Sequence, residues 1–427
     1  MKRNFYAAAL GLLTLGTTLT TQAQDFRQSA GNPSSSRGRG CVAMEVLAEQ
    51  LAADPTMAQR MSAIENQTAR YQSLLPSQRS TAVTVTIPVV VHVVYNTSTQ
   101  NVPLSQITAQ MDVLNQDFAK TNPDASLIPA AFAGSAASTN VRFVLAQRDP
   151  NGLATTGIIR KQTKVTSWSS NDAVKNSKRG GSDAWPRDKY LNIWVCNLGG
   201  GLLGYAQFPG GQASTDGVVV LYSSLPGGTA APYNKGRTAT HEVGHWLNLR
   251  HIWGDASCGN DYVSDTPTQQ TSNYGCPSFP KVTCSNGPNG DMFMNYMDYT
   301  DDACMYMFSN GQSTRMDALF ATGGARVGLV TSLGGTAPRA TAPLLATTAA
   351  SLYPNPASDV LNINVGDAKR TADAAYSVKV YDLRGFEMKQ AQYNGNGQVR
   401  VDMLPKGLYY VTITDGVNTQ HQRFQKD

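Results

Sequence analysis

Between residues 81 and 96 the chain reads TAVTVTIPVVVHVVYN, a β-branched, nearly continuous apolar run that predicts a buried strand. LSQITAQMDVLNQDFAK follows, with Ile107, Met111, Leu114 and Phe118 on one helical face. VRFVLAQ near 141, LNIWVCNL near 191 and GVVVLYS near 217 read as further strands. Strands and a helix, then a long irregular stretch, predict an α+β domain over 80–333. Ahead of it, QSAGNPSSSRGRG gives way to a helical-looking MEVLAEQLAADPTMAQRMSAIENQTARYQ. That region, 24–79, has no strand pattern and too few apolar positions for its own core, and reads as a pro-segment. GGTAPRATAPLLATTAA, 334–350, is a Gly/Pro/Ala/Thr linker. Beyond it only short alternating strands appear: DVLNINV, YSVKVYDL, QVRVDM and GLYYVTIT, with Asp415-Gly416 as a tight hairpin. Residues 351–427 are therefore expected to form an all-β sandwich.

The N-terminus changes the compartment. Lys2 and Arg3, an apolar stretch from Phe5 to Leu19, and Thr21-Gln22-Ala23 together have the form of a secretory signal over 1–23, too short for a stable membrane span. No later stretch reaches 18 apolar residues, so no membrane span is expected in the mature protein. A net charge of +5 over 427 residues, without a basic run interleaved with aromatics, points to no nucleic-acid partner. Of six cysteines, Cys258, Cys276, Cys284 and Cys304 crowd one loop-rich segment, where three pairings are open. Cys41 stands apart. Cys196 and His92, inside strand patterns, read as core residues.

Five histidines occur in the whole chain, and three fall within HEVGHWLNLRH, residues 241–251. His241 and His245, four apart, lie about 40° apart around a helix and share a face, a metal-chelating spacing. Glu242 points off that axis, where it addresses a water at the metal. In an unbroken helix His251 would stand about 9 Å further along. The chain must therefore leave the helix after His245, and Asn248 is suited to the left-handed turn required. Three histidines and a water make an open, catalytic type of zinc site.

HEVGHWLNLRH, followed by NYMDYTDD, resembles the metzincin metallopeptidases and, within them, the pappalysin family. LNIWVCNL, LGYAQFPGG and TDGVVVLYSSL extend the resemblance over roughly 80–330. The family motif is HExxHxxGxxH, so Asn248 departs from it at the glycine. The resemblance implies a metzincin-like fold, a twisted mixed sheet plus active-site helix, in a secreted zinc endopeptidase made as a latent precursor. It implies His241, His245 and His251 as zinc ligands, Glu242 as general base, Tyr299 as donor to the oxyanion and Met297 as a hydrophobic base under the metal. LLGYAQFP, 202–209, would be the edge strand that pairs with a protein or peptide substrate. The family pairing of the late cysteines is Cys258 with Cys284 and Cys276 with Cys304. GDASCGNDYVSDTP resembles a calcium-bearing loop, with Asp261 and Asp265 as oxygen ligands. Met305 would lie near the pocket for the residue after the cut, favouring an apolar side chain. The tail, LYPNPASDVLNINV and LPKGLYYVTI, resembles the C-terminal sorting domain of type IX secretion, which implies secretion machinery as a partner and passage through the periplasm to the surface or medium of a Gram-negative bacterium.

Two rival readings are a non-catalytic zinc-containing surface adhesin and a zinc hydrolase of non-peptide amides. Glu242 and Tyr299 weigh against the first, because a structural site needs neither. The edge strand weighs against the second. Cys41, in RGRGCVAMEV, is a thiol that would fill the open zinc position and hold the precursor latent until a cut, for example after Arg79, removes it.

Overall fold

The computed structural model describes residues 40–74, 84–338, 350–365, 376–394, 397–414 and 419–427. The signal at 1–23, Arg37, Arg39, Arg79 and the Asp415-Gly416 hairpin lie outside the described residues.

The strand expected at 81–96 is β1 (Val85–Tyr95), buried at nearly every position. Its continuous apolar run follows from its place: it pairs in parallel with three strands, β2 (Val141–Leu145) and β3 (Ile158–Gln162) at its two ends on one side, and β4 (Leu191–Cys196) on the other. A strand with neighbours on both edges and layers on both faces has no solvated face to encode. β5 (Gly204–Ala206) and β6 (Val218–Leu221) complete a sheet ordered β2-β1-β4-β6-β5. β5 runs antiparallel to β6 and forms the edge, inside the 202–209 stretch. α3 (Leu104–Ala119) buries Ile107, Met111, Leu114 and Phe118. α4 (Ala130–Ala133) is a single turn, α5 (Arg237–Trp246) carries the first two motif histidines, and α6 (Asn310–Ala318) follows the irregular segment.

β3 and α6 are not evident in the apolar pattern. IIRKQ is mostly exposed, and NGQSTRMDA has no clear apolar face. A start signal for α6 is nevertheless present, because Ser309 and Gln312 form a reciprocal capping box.

The region ahead of the sheet forms α1 (Ala43–Ala53) and α2 (Met57–Ser73). It has no core of its own. Ala43, Leu47, Met57 and Met61 are buried in the cluster that also holds β1, α3 and α5 side chains.

His92 of β1 is a satisfied core histidine: Nδ1 lies 2.8 Å from Ser182 Oγ, Nε2 lies 3.1 Å from Asn192 Oδ1, and the ring stacks on Trp194. Burial lowers its pKa to about 4. Cys196 is buried and unbridged. Disulfides Cys258–Cys284 and Cys276–Cys304 staple the loops after α5, in the pairing the resemblance implies.

At the C-terminal end, β7 (Ser351–Tyr353), β8 (Val360–Asn364), β10 (Gln392–Tyr393) and β11 (Gln398–Arg400) form one antiparallel sheet. β9 (Ser377–Asp382), β12 (Gly407–Thr414) and β13 (Thr419–Lys426) form another. Leu361, Val380, Val399, Val411, Ile413 and Phe424 fill a separate core. β13, TQHQRFQK, offers little to an apolar search because Phe424 is its one large buried apolar side chain.

Candidate metal centre

Every residue of α5 is buried, polar ones included. The helix packs against β5, β6 and α3. Its first turn is anchored by Arg237, which forms ion pairs with Asp117 of α3 (2.8 Å) and Asp124 (3.0 Å). Thr240 donates to Asp117 at 2.7 Å. Burial raises the Asp117 carboxyl to about 6 despite Arg237.

The helix ends where the histidine spacing demands. Asn248 has φ 68°, and Leu249 N donates back to Gly244 O at 3.0 Å. This left-handed exit turns the chain so that His251 returns to the first two histidines. His245 Nε2 lies 3.1 Å from His241 Nε2 and 3.1 Å from His251 Nε2. Gly244 is required by what lies beneath: a Cβ there would collide with Met297 Sδ. Met297 is fully buried, and its carbonyl accepts from Ile252 N.

The outer ring nitrogens determine the tautomers. His241 Nδ1 faces Tyr296 O at 2.7 Å, and His245 Nδ1 faces Leu249 O at 2.8 Å. His251 Nδ1 faces Asp255 Oδ1 at 2.5 Å. Carbonyls and carboxylates only accept, so each Nδ1 carries the hydrogen and each Nε2 presents a lone pair. Three acceptors turned towards one point repel each other unless a cation sits among them. Burial, with His251 beside it, pushes His245 well below the usual imidazole range and keeps it in the neutral, ligating form.

Cys41 closes the fourth side. Its ligand atom and those of His241, His245 and His251 all lie within 4.8 Å of one another, the metal-type cluster among the described residues. Cys41 pairs in parallel with Gly204 on the edge strand, and Gly40 O accepts from Leu203 N at 2.9 Å. The thiol donates to Glu242 Oε2 at 3.5 Å. Burial, then the Glu242 charge, raises its pKa. Glu242 fits under the edge strand because position 204 is glycine: a Cβ there would stand 2.9 Å from both Glu242 Cγ and Oε1. The Tyr299 hydroxyl lies 3.0 Å from His251 Nε2 and donates to Cys41 O.

The loop carboxylates both accept hydrogen bonds from the protein. Asp261 accepts from Thr266 Oγ1 and Val263 N, and burial raises it to about 7. Asp265 accepts from Ser309 Oγ and Gly311 N. The structure does not gather these two into a group of three or more ligands. Met305 is buried, with its carbonyl on Arg237 Nη1.

Two neighbours of the centre are not singled out by the motif. Asp255 orients His251, and a search for a carboxylate near each ligand would have found it four residues on, in HIWGD. Trp253 stacks on the His251 ring at 4.3 Å.

A mixed sheet with an antiparallel edge strand over a helix bearing two histidines, and a third returned by a turn, defines a metalloprotease-type centre. Comparison with known proteins agrees. Residues 174–321 match the peptidase family described as pregnancy-associated plasma protein-A, and 351–427 match the secretion system C-terminal sorting domain. An extracellular metalloprotease of Pyricularia oryzae is 31% identical over 309 residues, which span 70% of this chain and 89% of that protein. Extracellular metalloprotease 1 of Coccidioides posadasii is 44% identical over 174 residues, covering 38% of this chain and 60% of that protein. A solved promirolysin mutant from Tannerella forsythia is 50% identical with a TM-score of 0.62, covering 68% of this chain and 97% of that one. Mature mirolysin of the same organism, in complex with a cleaved peptide, is 54% identical with a TM-score of 0.57, covering 58% and 96%. The chain belongs to the pappalysin family of metalloproteases and carries a type IX sorting domain, which makes it a secreted or cell-surface protein.

Proposed function

We propose that the chain is the latent precursor of a secreted zinc endopeptidase, organised as signal (1–23), pro-segment (24–79), catalytic domain (80–333), linker (334–350) and sorting domain (351–427). The observation that carries this reading is the convergence of His241, His245 and His251 with Cys41, their ligand atoms within 4.8 Å of one another and each imidazole Nδ1 turned to an oxygen acceptor. An all-nitrogen set with a thiol at its fourth side suits zinc rather than a hard cation. Asp261 and Asp265 would be oxygen ligands for calcium, as the resemblance implies, through lone pairs left beside the protein hydrogen bonds they accept.

His241, His245 and His251 would hold the zinc. Bound there, it would supply Lewis acidity, acidifying a water and polarising the scissile carbonyl. Glu242, buried under the edge strand, takes the proton of the attacking water and returns it to the leaving amine. Tyr299 donates to the oxyanion of the tetrahedral intermediate. β5 aligns the peptide backbone by strand addition. In the precursor Cys41 occupies the place of the water, with its backbone on the same edge strand that a substrate would use, and latency follows from that double occupation.

The reading is tested by metal analysis and casein digestion with the processed protein and its Glu242→Ala form. One equivalent of zinc in both and a loss of about 10³-fold in hydrolysis in the variant are expected. Retained activity in Glu242→Ala rules out this mechanism. His251→Ala should lower zinc occupancy instead.

A further inference from the structure

Arg315, on α6, is fully buried and reaches the crevice between α2 and the catalytic domain. Its Nε donates to Asn248 O at 2.9 Å, behind the turn that carries His251. Its Nη1 and Nη2 grip both oxygens of Glu65, at 2.7 and 2.5 Å. The guanidinium lies over the Tyr262 ring at 5.6 Å, and Arg250 lies over the same ring at 5.9 Å and over Phe208 at 5.2 Å. Burial acts to raise Glu65, but the Arg315 hydrogen bonds and charge hold it below the usual range. Glu65 belongs to the segment proposed to be removed on activation, whereas Arg315, Arg250 and Tyr262 remain. Removal of α2 therefore opens a cleft wall with two guanidinium groups and takes away the carboxylate held between the fork and solvent. Desolvated cations of this kind bind a replacement carboxylate in preference to a neutral group.

The crevice continues the substrate cleft. Phe208, Pro209 and Gly210 follow edge strand β5 one residue on, after Gln207, and α2 lies on them through Arg60 Nε to Gly210 O at 2.7 Å. Pro209, Asn248, Arg250 and Tyr262 line the catalytic side of the crevice. A peptide extended along β5 at about 3.3 Å per residue reaches it a few residues from the cut.

We propose that Arg315, supported by Arg250 and Tyr262, forms a carboxylate-binding subsite of the mature protease, and that an acidic side chain of the substrate takes the position Glu65 holds in the precursor. This rests on the latent-protease reading above.

The test uses processed protein and a peptide series carrying Glu, Gln or Ala in turn at each position on both sides of one scissile bond. At one position Glu should exceed Gln in kcat/KM by about 10-fold or more, as a buried charge-assisted pair implies. Arg315→Lys, which keeps the charge but not the fork, should bring that ratio close to one. A second arm needs no variant of the protease: a peptide of residues 54–74 should inhibit at least about 10-fold better than its Glu65→Gln form. Equal cleavage of Glu and Gln peptides at every position, a Glu preference that survives in Arg315→Lys, or equal inhibition by the two peptides overturns the subsite. Cleavage of the Ala peptides keeps the protease reading intact in each of those cases. Cleavage of no peptide at all overturns both.

Discussion

The hydroxyl of Tyr299 donates to the carbonyl oxygen of Cys41 at 3.1 Å, across 258 positions of sequence. The donor proposed for the oxyanion is thus already engaged by a backbone carbonyl lying beside the histidine cluster. A group that binds a carbonyl there in the precursor is placed to bind the substrate's carbonyl once the pro-segment leaves. Burial raises the Tyr299 phenol well above its ordinary value, which keeps it a donor in the precursor. Tyr299→Phe in the processed protein should lower kcat by roughly 10²-fold with KM changed by less than about three-fold. A variant that raises KM and keeps kcat would show that Tyr299 binds ground state and transition state alike.

Cys41 is the second consequence of that contact. Its thiol lies against Glu242, and its backbone holds the edge strand, so in the proposed mechanism one residue would block the base, the metal's open side and the strand-pairing site together. Cys41→Ala removes the ligand but leaves the backbone pairing and the Glu65–Arg315 ion pair. The expected result is a folded precursor that processes itself early or shows partial activity before any cleavage. A thiol-reactive mercurial should partly activate the wild type and leave the variant unchanged. A Cys41→Ala precursor as latent as wild type would assign latency to the helices alone.

Much of this site is local in sequence and therefore legible there. The four-residue spacing places His241 and His245, and the need to return His251 singles out Asn248, which does adopt a positive φ. β1 was readable because a central parallel strand has no exposed face to interrupt its apolar run. What escaped depends on distant chain segments. Glu65 and Arg315 are 250 positions apart, and neither has a local pattern that names the other. Gly204 shows its purpose only when Glu242 is brought beneath it, and β13 is polar because one packed phenylalanine suffices to hold it. The glycine-rich stretch ahead of Cys41 gave no hint that α1 and α2 complete the catalytic domain's core.

The separate C-terminal core leads to a test of export. Leu361, Val399, Val411 and Phe424 pack with each other in a cluster distinct from the one around the histidines. Deleting 351–427 should leave a precursor that folds, matures and cleaves casein in vitro but accumulates in the periplasm. Assay of protease in medium and periplasm decides it, and undiminished release to the medium would take the export role away from this domain.

His92 provides a pH test of the core. The ring is buried between Ser182 and Asn192, and burial depresses its pKa from 6.5 to about 4. Both nitrogens are used, so the folded state holds it neutral. The unfolded chain takes up a proton near pH 6.5, whereas the folded state resists until about pH 4. The stability this group confers is therefore fully present above pH 6.5 and is lost as pH falls towards 4, by on the order of 3 kcal/mol over the window. His92→Gln cannot titrate. It should be less stable than wild type at pH 7.5, and the gap should narrow steadily between pH 6.5 and 4.5 as the wild type alone loses this contribution. The three clustered histidines, proposed to hold the metal, would also lose ligand character in acid, but they would do so in both proteins, and the difference between the two cancels them. Urea unfolding of both proteins across that range measures the gap, and a gap constant with pH would mean that His92 does not resist protonation in the folded state.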